Sequence, residues 1–342
     1  MGCHAMSYPK SRWVIGALLS VVIAGSVLVA GSVLVAGAVA LERRSDQGGA
    51  SPQERQCAER GWRPAVVDVS GTPRDVQWKG PDRSWSKGAI IVMHGGGGEH
   101  VQWCGSNFGS AAAQVRFSEL AVEEGFAVFL LNSSSEVSDN QGRICGKIWD
   151  DEVRDRPNLD LPFIEQVMQQ VIPSLRPADS EDAIYLTGLS SGGYMAVRAA
   201  THLNTLVTAF APVSSGDPYG WHRRCEPGLT ARIKVEGAGY DNETGKHIIE
   251  RNSCLSQSYP NEARWDDGQA PTKPTFRLFH HEMDGINDVS CADKVARQLR
   301  SHGYPGEPDF LLRGGRRSLA NHLWQDEYNR PILDFFTSSL DR

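Results

Sequence analysis

Two adjacent serines between glycines mark a point of the chain where nucleophilic chemistry is expected. The segment Gly188-Leu189-Ser190-Ser191-Gly192-Gly193 contains the pattern G-x-S-x-G. It follows the apolar run AIYLT (183–187) and precedes an alanine-rich helical stretch, which is the strand–turn–helix setting that this pattern requires. Glycines at both ends of the pattern let neighbouring backbones approach where a Cβ would clash. We therefore predict that Ser190 is a nucleophile presented by a sharp turn.

A second glycine-rich turn, His94-Gly95-Gly96-Gly97-Gly98, follows the apolar run AIIVM (89–93). It lacks both the G-K-[ST] ending of a Walker phosphate loop and the spacing of a dinucleotide fingerprint. Together with a serine elbow, an HGGG turn is typical of a loop whose backbone N–H groups bind an oxyanion. We therefore expect an oxyanion hole formed by the amides of Gly95 or Gly96 and of Ser191.

A serine nucleophile needs a histidine base, and the base needs an orienting carboxylate. With this elbow the acid and then the base follow the serine along the chain. Seven histidines qualify by position: His202, His222, His247, His280, His281, His302 and His322. His322 is the preferred base, because it lies in a loop between the last predicted strand and the last predicted helix.

The acid is expected just after the strand predicted at 275–280. The following segment, HHEMDGINDV, offers Asp284, Asp288 and, as a weaker candidate, Glu282. Asp284 is preferred because it lies nearer to the end of the strand. Asp288 is expected to cap the next helix, which is an ordinary structural role for aspartate. The adjacent pair His280-His281 does not predict a metal site, since neighbouring residues of a strand point to opposite faces.

Apolar runs that alternate with amphipathic stretches predict the elements that position these residues. Strands are expected at 89–93, 126–131, 183–187, 206–213, 275–280 and 308–312, and helices at 110–124, 159–172, 192–203, 291–302 and 325–337. Nearly unbroken apolar strands separated by helices indicate an α/β fold with a mostly parallel sheet covered on both faces. Such sheets bind ligands at the carboxyl ends of their strands, where both glycine-rich turns are expected.

The segment GLSSGGYMA (188–196) resembles the elbow of the polyhydroxybutyrate depolymerase and feruloyl esterase group of α/β-hydrolases. Further similarities are Asp160-x-x-Phe163-Ile164, His280-x-x-x-Asp284 and His322-x-Trp324, and the resemblance extends over about residues 85–340. It implies the α/β-hydrolase fold. It also implies Ser190 as nucleophile, Asp284 as acid and His322 as base.

The N-terminal part of the chain has a different composition. Residues 13–40 carry no charge, follow Lys10 and Arg12, and end in Ala-Val-Ala. These features predict an export signal. Because about 20 apolar residues suffice to span a bilayer, an uncleaved membrane anchor stays open as an alternative. The polar segment 41–60 is predicted to be a linker, followed by a catalytic domain over 61–342.

Six of the seven cysteines lie beyond the export signal, and an even number in an exported protein predicts disulfides. A Cys104–Cys145 bridge is expected, because both residues follow neighbouring strands at the same edge of the sheet. A Cys225–Cys254 bridge is expected within an insertion, with Cys254–Cys291 as the alternative. If Cys225 pairs with Cys254, Cys57 and Cys291 are left to pair with each other or to stay free.

The insertion spans about residues 216–272, between two predicted strands. A structureless loop of this length would be unusual in a compact domain, so we expect an ordered cap. Insertions at this position commonly form substrate pockets. Packing of its aromatic residues among themselves is an equally good interpretation.

The chain as a whole has 342 residues and a formal net charge of −6, without a long basic run. This charge pattern argues against nucleic acid as a partner. Taken together, the motifs predict a serine carboxylic-ester hydrolase that acts on small or oligomeric esters outside the cytoplasm without a cofactor or metal. The membrane is expected as a partner only through an uncleaved N-terminal segment. Two alternatives stay open: a serine peptidase of the same fold, and a non-catalytic adhesion protein on a hydrolase scaffold.

Overall fold

The computed structural model describes residues 50–105, 110–138, 144–151, 157–219, 238–241, 246–249, 265 and 267–340. For residues 110, 137, 138, 144, 145, 238–241 and 246–249 it describes the backbone alone. The predicted export signal or anchor (1–40) lies outside the described residues, as do the first residues of the predicted linker and most of the predicted insertion. Within the described residues, no helix has both the length and the apolar character needed to cross a bilayer.

Strands and helices alternate along most of the chain. The strands are β1 (Arg63–Val69), β2 (Thr72–Lys79), β3 (Ala89–Met93), β4 (Ala127–Leu131), β5 (Ser135–Ser138), β6 (Ile144–Ile148), β7 (Ile184–Leu189), β8 (Ala209–Val213), β9 (Ala238–Asp241), β10 (Lys246–Ile249), β11 (Thr275–Phe276), β12 (Phe279–His281) and β13 (Phe310–Leu312). The helices are α1 (Pro52–Glu59), α2 (Ser110–Glu123), α3 (Leu161–Gln166), α4 (Ile172–Leu175), α5 (Ser191–His202), α6 (Val289–Ser301) and α7 (Asp326–Ser338).

Nine of these strands form the main sheet, in the order β1-β2-β4-β3-β7-β8-β12-β13 with β11 paired to β8. Within this sheet, β3, β4, β7, β8, β11, β12 and β13 are parallel to one another. The hairpin β1–β2 adds an antiparallel edge that the sequence patterns did not predict. The predicted mostly parallel sheet is confirmed. The predicted helix at 159–172 is divided into α3, a π-helical turn (Val167–Val171) and α4, because Pro173 lacks a backbone N–H.

Each face of the sheet carries its own apolar core. On β3, Ile91 belongs to one core and Ile90 to the other, as expected for neighbouring residues of a strand. Side chains of α3, α5 and α6 cover the first core, and side chains of α1, α2 and α7 cover the second. Burial on both faces explains why the central strands are apolar without a break.

The two ends of the predicted insertion lie against each other. Tyr219 at one end stacks on Trp265 at the other, with ring centroids 4.3 Å apart. Trp265 also stacks on His302, which ends α6, with centroids 4.1 Å apart. We call Tyr219, Trp265 and His302 the aromatic clasp. It joins the two ends of this segment to each other and to the C-terminal end of α6.

Helix α1 lies inside the segment predicted to be a linker. The Ser51 side chain accepts a hydrogen bond from the Glu54 amide at 3.1 Å, and the Glu54 carboxylate accepts one from the Ser51 amide at 2.6 Å. This reciprocal pair is a capping box, which stabilises the first turn of a helix. Residues 52–59 therefore form a helix of the folded domain, although the polar composition predicts a linker over 41–60.

The disulfide of α1 corrects the predicted cysteine pairing. Cys104 is bonded to Cys57, so the predicted Cys104–Cys145 bridge is wrong, and so is a Cys57–Cys291 bridge. Because α1 packs on the 3₁₀ turn His100–Trp103, it brings Cys57 to the end of that turn. Cys291 is also disulfide-bonded, to a cysteine whose side chain is not among those described. Cys225 and Cys254 lie outside the described residues, so the bridge predicted between them stays a prediction.

Removal of the Cys57–Cys104 bridge is expected to destabilise the protein strongly. The bridge closes a loop of 47 residues, and in the chain-entropy model such a closure contributes roughly 4 kcal/mol. The free energy of unfolding of a Cys57→Ala/Cys104→Ala variant, measured in urea, should fall by about that amount. Either single variant should show the same loss, since one missing sulfur is enough. An unchanged urea midpoint would contradict this role.

Candidate active site

Ser190 stands at a strained turn between β7 and α5. Its backbone has φ 53° and ψ −114°, a conformation that side-chain-bearing residues rarely adopt. Such strain persists only where the surrounding structure imposes it, and it is concentrated at functional sites. The Ser190 amide donates to the carbonyl of Val213 at 2.9 Å, which ties the turn to the end of β8. The serine is thus presented at the carboxyl edge of the sheet, as predicted for a nucleophile.

Gly192 and Gly188 allow this turn to fit beneath its neighbours. A Cβ at Gly192 would lie 2.2 Å from the carbonyl oxygen of Met93 and 2.6 Å from that of His94. A Cβ at Gly188 would lie 2.5 Å from the carbonyl oxygen of Gly192. Both clashes are with backbone atoms, which cannot rotate away. The expected steric reason for glycine at these two positions is confirmed.

His322 and Asp284 form a buried hydrogen-bonded pair. The Nδ1 of His322 lies 2.8 Å from Oδ2 of Asp284, whose side chain is completely buried. His322 lies in a 3₁₀ turn (Ala320–His322) between β13 and α7, and Asp284 lies in the turn after β12. The structure thus brings together two residues that are 38 positions apart in sequence. Their geometry leaves Nε2 of the imidazole available for proton transfer.

Several donors fix the carboxylate of Asp284. Its Oδ1 accepts hydrogen bonds from the amides of Ile286 at 2.7 Å and Asn287 at 2.9 Å. Burial acts to raise the pKa of Asp284. The charge and hydrogen bond of His322, with smaller contributions from His280 and the Ile286 amide, outweigh burial and lower that pKa below its ordinary value. The carboxylate therefore stays ionised, as an orienting group for a histidine must.

The two alternative acids have other partners. Asp288 caps α6, because its side chain accepts a hydrogen bond from the Ser290 amide at 3.0 Å, and it also pairs with Arg317 at 2.6 Å. The predicted capping role of Asp288 is confirmed. The side chain of Glu282 accepts a hydrogen bond from the amide of Gly314 at 3.3 Å. Among the described contacts, Asp284 is the candidate acid that contacts His322, the preferred base.

Three of the remaining candidate histidines, His280, His281 and His302, have structural partners among the described residues, and His202 is an exposed residue at the end of α5. His280 is fully buried, with Nε2 3.0 Å from the carbonyl oxygen of Asn287 and 3.5 Å from Oδ2 of Asp284. The Nδ1 of His281 accepts a hydrogen bond from the Met283 amide at 3.0 Å. His302 belongs to the aromatic clasp. His222 lies outside the described residues, and the side chain of His247 does as well.

The glycine-rich turn after β3 lies against the first turn of α5. A Cβ at Gly96 would lie 3.7 Å from the Cβ of Ser191. Within the described part of the chain, the amides of Gly95, Gly96 and Ser191 have no hydrogen-bond acceptor, whereas those of Gly97 and Gly98 donate to Lys147 and Gly95. Unpartnered amides beside a strained serine are the donor arrangement expected for an oxyanion hole.

His94, the first residue of this turn, is a structural residue. It is fully buried, its Nε2 accepts a hydrogen bond from the Ser133 amide at 3.2 Å, and its Nδ1 lies 2.8 Å from the carbonyl oxygen of Gly95. Burial, with smaller contributions from nearby cations, lowers the pKa of His94 to about 3. The imidazole is therefore neutral at physiological pH and joins the turns that follow β3 and β4.

The lowered pKa of His94 predicts a loss of stability in acid. Between pH 6.5 and about 3 the unfolded chain binds a proton at this residue and the folded chain does not, so the free energy of unfolding falls as the pH falls. His94→Gln, which keeps an acceptor for the Ser133 amide, should reduce this dependence. The measurement compares urea midpoints of both proteins at pH 7 and pH 4.5. Parallel profiles would show that His94 is not the group responsible.

The β5–β6 ribbon also contributes to this site, and no sequence motif predicts that contribution. The Trp149 indole N–H donates to the carbonyl of His94 at 2.9 Å, and the Ser191 hydroxyl donates to Asp151 at 2.7 Å. Asp160, whose motif was noted, accepts hydrogen bonds from the Asp150 amide at 2.7 Å and from Arg74 at 2.5 Å. A tryptophan followed by two aspartates after a short strand carries no motif that would reveal these contacts.

The described residues contain no cluster of three or more histidine, cysteine, aspartate or glutamate side chains that could hold a metal ion.

Comparisons with known proteins identify the fold. No protein-family model matches the chain, and no curated protein matches its sequence. A solved structure of an arylesterase aligns with a TM-score of 0.50 at 15% sequence identity, over 81% of this chain and 85% of the arylesterase. The acylaminoacyl peptidase of Pyrococcus horikoshii aligns with a TM-score of 0.51 at 15% identity, over 80% of this chain but 41% of the peptidase.

The chain thus spans about two fifths of the length of that peptidase. The predicted resemblance to polyhydroxybutyrate depolymerases and feruloyl esterases has no counterpart among these structures and stays a prediction. Both alignments cover about four fifths of this chain, whose sheet is mostly parallel with an antiparallel hairpin at one edge and helices on both faces. The chain therefore has the α/β-hydrolase fold.

Proposed function

We propose that this protein is a serine carboxylic-ester hydrolase with Ser190 as nucleophile, His322 as base and Asp284 as acid. The observation that carries the proposal is the buried 2.8 Å contact between His322 and Asp284, with Ser190 at a strained turn after β7. Their positions support the proposal, because all three residues follow strands of the main sheet at the same edge. This is the edge where α/β folds bind their ligands.

The reaction follows from the roles of these groups. Because Asp284 accepts the Nδ1 proton of His322, Nε2 carries the lone pair that removes the proton from the Ser190 hydroxyl. The serine oxygen attacks the ester carbonyl, and the amides of Gly95 or Gly96 and of Ser191 stabilise the resulting oxyanion. His322 then returns the proton to the leaving alcohol. Water, activated by the same histidine, hydrolyses the acyl-enzyme.

A non-catalytic adhesion role is less consistent with these observations. The buried Asp284 carboxylate requires a dedicated arrangement of partners, namely His322 and the amides of Ile286 and Asn287. The strained backbone of Ser190 costs of order 1–3 kcal/mol. An adhesion surface would need neither feature, nor the unpartnered amides next to them.

Activity-based labelling and turnover of the purified full-length protein test the proposal. A fluorophosphonate probe should label Ser190, located by peptide mass spectrometry, and p-nitrophenyl esters should be hydrolysed faster than peptide anilides. A panel of esters that differ in acyl length and aryl character would define the substrate. Faster anilide turnover would favour a peptidase. Absence of both labelling and turnover would contradict a serine hydrolase.

We also propose that the catalytic domain acts outside the cytoplasm. The apolar segment 13–40 supports export, and the Cys57–Cys104 disulfide supports an oxidising compartment. The partner is then an ester substrate, and contact with the membrane is limited to the N-terminal segment if it is not cleaved. Alkylation of cysteines in intact cells, before and after reduction, tests the compartment. Six reactive thiols without reduction would contradict it.

A further inference from the structure

The end of strand β6 contacts both halves of the proposed oxyanion hole. We call residues 147–151 the β6 brace. Gly95 and Gly96 follow β3, whereas Ser191 follows β7, so the two donors come from distant parts of the chain. Their amides have no acceptor among the described residues that could fix their separation. The contacts of the brace supply that restraint.

On one side the brace holds the glycine-rich turn. The Gly97 amide donates to the carbonyl of Lys147 at 2.8 Å, and the Lys147 amide donates to the carbonyl of Gly98 at 2.9 Å. The Trp149 indole N–H donates to the carbonyl of His94 at 2.9 Å, and the Trp149 ring lies 5.1 Å from the His94 ring. The brace therefore binds the turn on both sides of Gly95 and Gly96, at His94 and at Gly97 and Gly98.

On the other side the brace holds the first residue of α5. The Trp149 amide donates to the Ser191 hydroxyl at 3.2 Å, and this hydroxyl donates to Oδ2 of Asp151 at 2.7 Å. Trp149, Asp151 and Ser191 are 3%, 0% and 1% exposed, so water does not compete for these hydrogen bonds. Trp149 is thus the residue of the brace that donates hydrogen bonds to both sides.

We propose that Trp149 is a positioning residue, which sets the separation of the two oxyanion donors by holding the glycine-rich turn through its indole N–H and Ser191 through its amide. This inference rests on the proposed function. Donors must lie about 2.7–3.1 Å from the oxyanion to stabilise it. A misplacement of about 1 Å lowers a reaction rate about a hundredfold. Loss of one contact of the brace should therefore weaken transition-state binding without weakening substrate binding.

The test uses Trp149→Phe, which keeps an aromatic ring beside His94 and removes the indole N–H. We expect kcat for a p-nitrophenyl ester to fall about 10- to 100-fold with KM within twofold, which is the signature of a transition-state interaction. The Ki of an aryl trifluoromethyl ketone, whose adduct with Ser190 places an oxyanion in the same position, should rise by the same factor. A purely structural role would lower the yield or the unfolding temperature but would not move this Ki.

Two further variants make the result decisive. Trp103→Phe is the matched control, because Trp103 is fully buried and its indole N–H has no partner among the described residues. The kcat and Ki of this variant should match those of wild type. Ser191→Ala keeps the Ser191 amide but loses both side-chain hydrogen bonds to the brace, and should repeat the effect of Trp149→Phe. This second variant carries the test if Trp149→Phe does not fold.

The outcomes separate this inference from the proposed function. If wild type hydrolyses esters and binds the ketone, but both Trp149→Phe and Ser191→Ala leave kcat and Ki within twofold, the positioning role is overturned and the proposed function stands. A fall in kcat without a rise in Ki overturns it as well. If wild type neither hydrolyses esters nor reacts with the fluorophosphonate, the proposed function fails, and this inference fails with it.

Discussion

Replacement of Ser190 by alanine is expected to abolish ester hydrolysis, with a fall in kcat of about 10⁶-fold. The variant keeps the buried His322–Asp284 pair and the unpartnered amides but has no oxygen to attack the carbonyl. Fluorophosphonate labelling should be lost at the same time. Initial rates with a p-nitrophenyl ester and labelling followed by gel fluorescence provide the two measurements.

Ser301→Ala is a suitable control for this prediction. Ser301 is an exposed serine at the end of α6, and its hydroxyl donates to the carbonyl of Gln298. Its replacement should change neither labelling nor turnover. Labelling that survives in Ser190→Ala would place the nucleophile at another residue, and the strained turn after β7 would then need a different explanation.

Asp284→Asn is expected to lower kcat by about 10⁴-fold with little change in KM. An amide in place of the carboxylate can donate a hydrogen bond to His322, which stabilises the wrong tautomer, and it cannot stabilise the imidazolium formed during attack. The change is nearly isosteric, so the amides of Ile286 and Asn287 keep an oxygen acceptor. Steady-state kinetics with the best ester of the panel measure the effect.

Asp288→Asn is the matched control for Asp284→Asn, because Asp288 lies four residues later and is equally buried. It should lower kcat less than tenfold and the free energy of unfolding by about 1 kcal/mol, since asparagine also caps helices while the pairing with Arg317 is weakened. If Asp288→Asn instead shows the large loss, Asp288 is the acid and the observed His322–Asp284 contact is not the productive one.

The central sheet could be predicted from sequence because its central strands are nearly continuous apolar runs. Strands β3 and β4 are buried on both faces and are apolar throughout, and β7 departs from this pattern only at Thr187 and Gly188. The hairpin β1–β2 was not predicted. Its residues mix proline, arginine and aspartate with apolar residues, since it forms the exposed edge of the sheet.

Helix α1 begins with a capping motif that is present in the sequence, although the polar composition around it is typical of a linker. Ser51 and Glu54 have the spacing of a capping box, with Pro52 at the first helical position, yet the surrounding segment is polar and reads as a linker. Because α1 was missed, the partner of Cys104 was missed too. The pairing of cysteines depends on which helices and strands pack together, and a local sequence pattern does not contain that information.

The positions of Ser190, Asp284 and His322 after strand ends could be predicted because each lies in a motif with a known chemical reason. Their catalytic roles stay predictions. The contacts of Trp149 and Asp151 were not predictable. They arise from a short ribbon that folds over the glycine-rich turn, and neither residue type nor spacing marks such a packing arrangement.

The aromatic clasp has a consequence for how this protein can diversify. Because Tyr219 and Trp265 stack directly on each other, the two ends of the segment between them are fixed close together. Doubling the length of a flexible segment between fixed ends costs only about 0.6 kcal/mol of closure entropy. A change in chain length within residues 220–237 should therefore cost little closure entropy for the sheet that carries Ser190 and Asp284, whereas β9 and β10 pack on β5 and are less free to change.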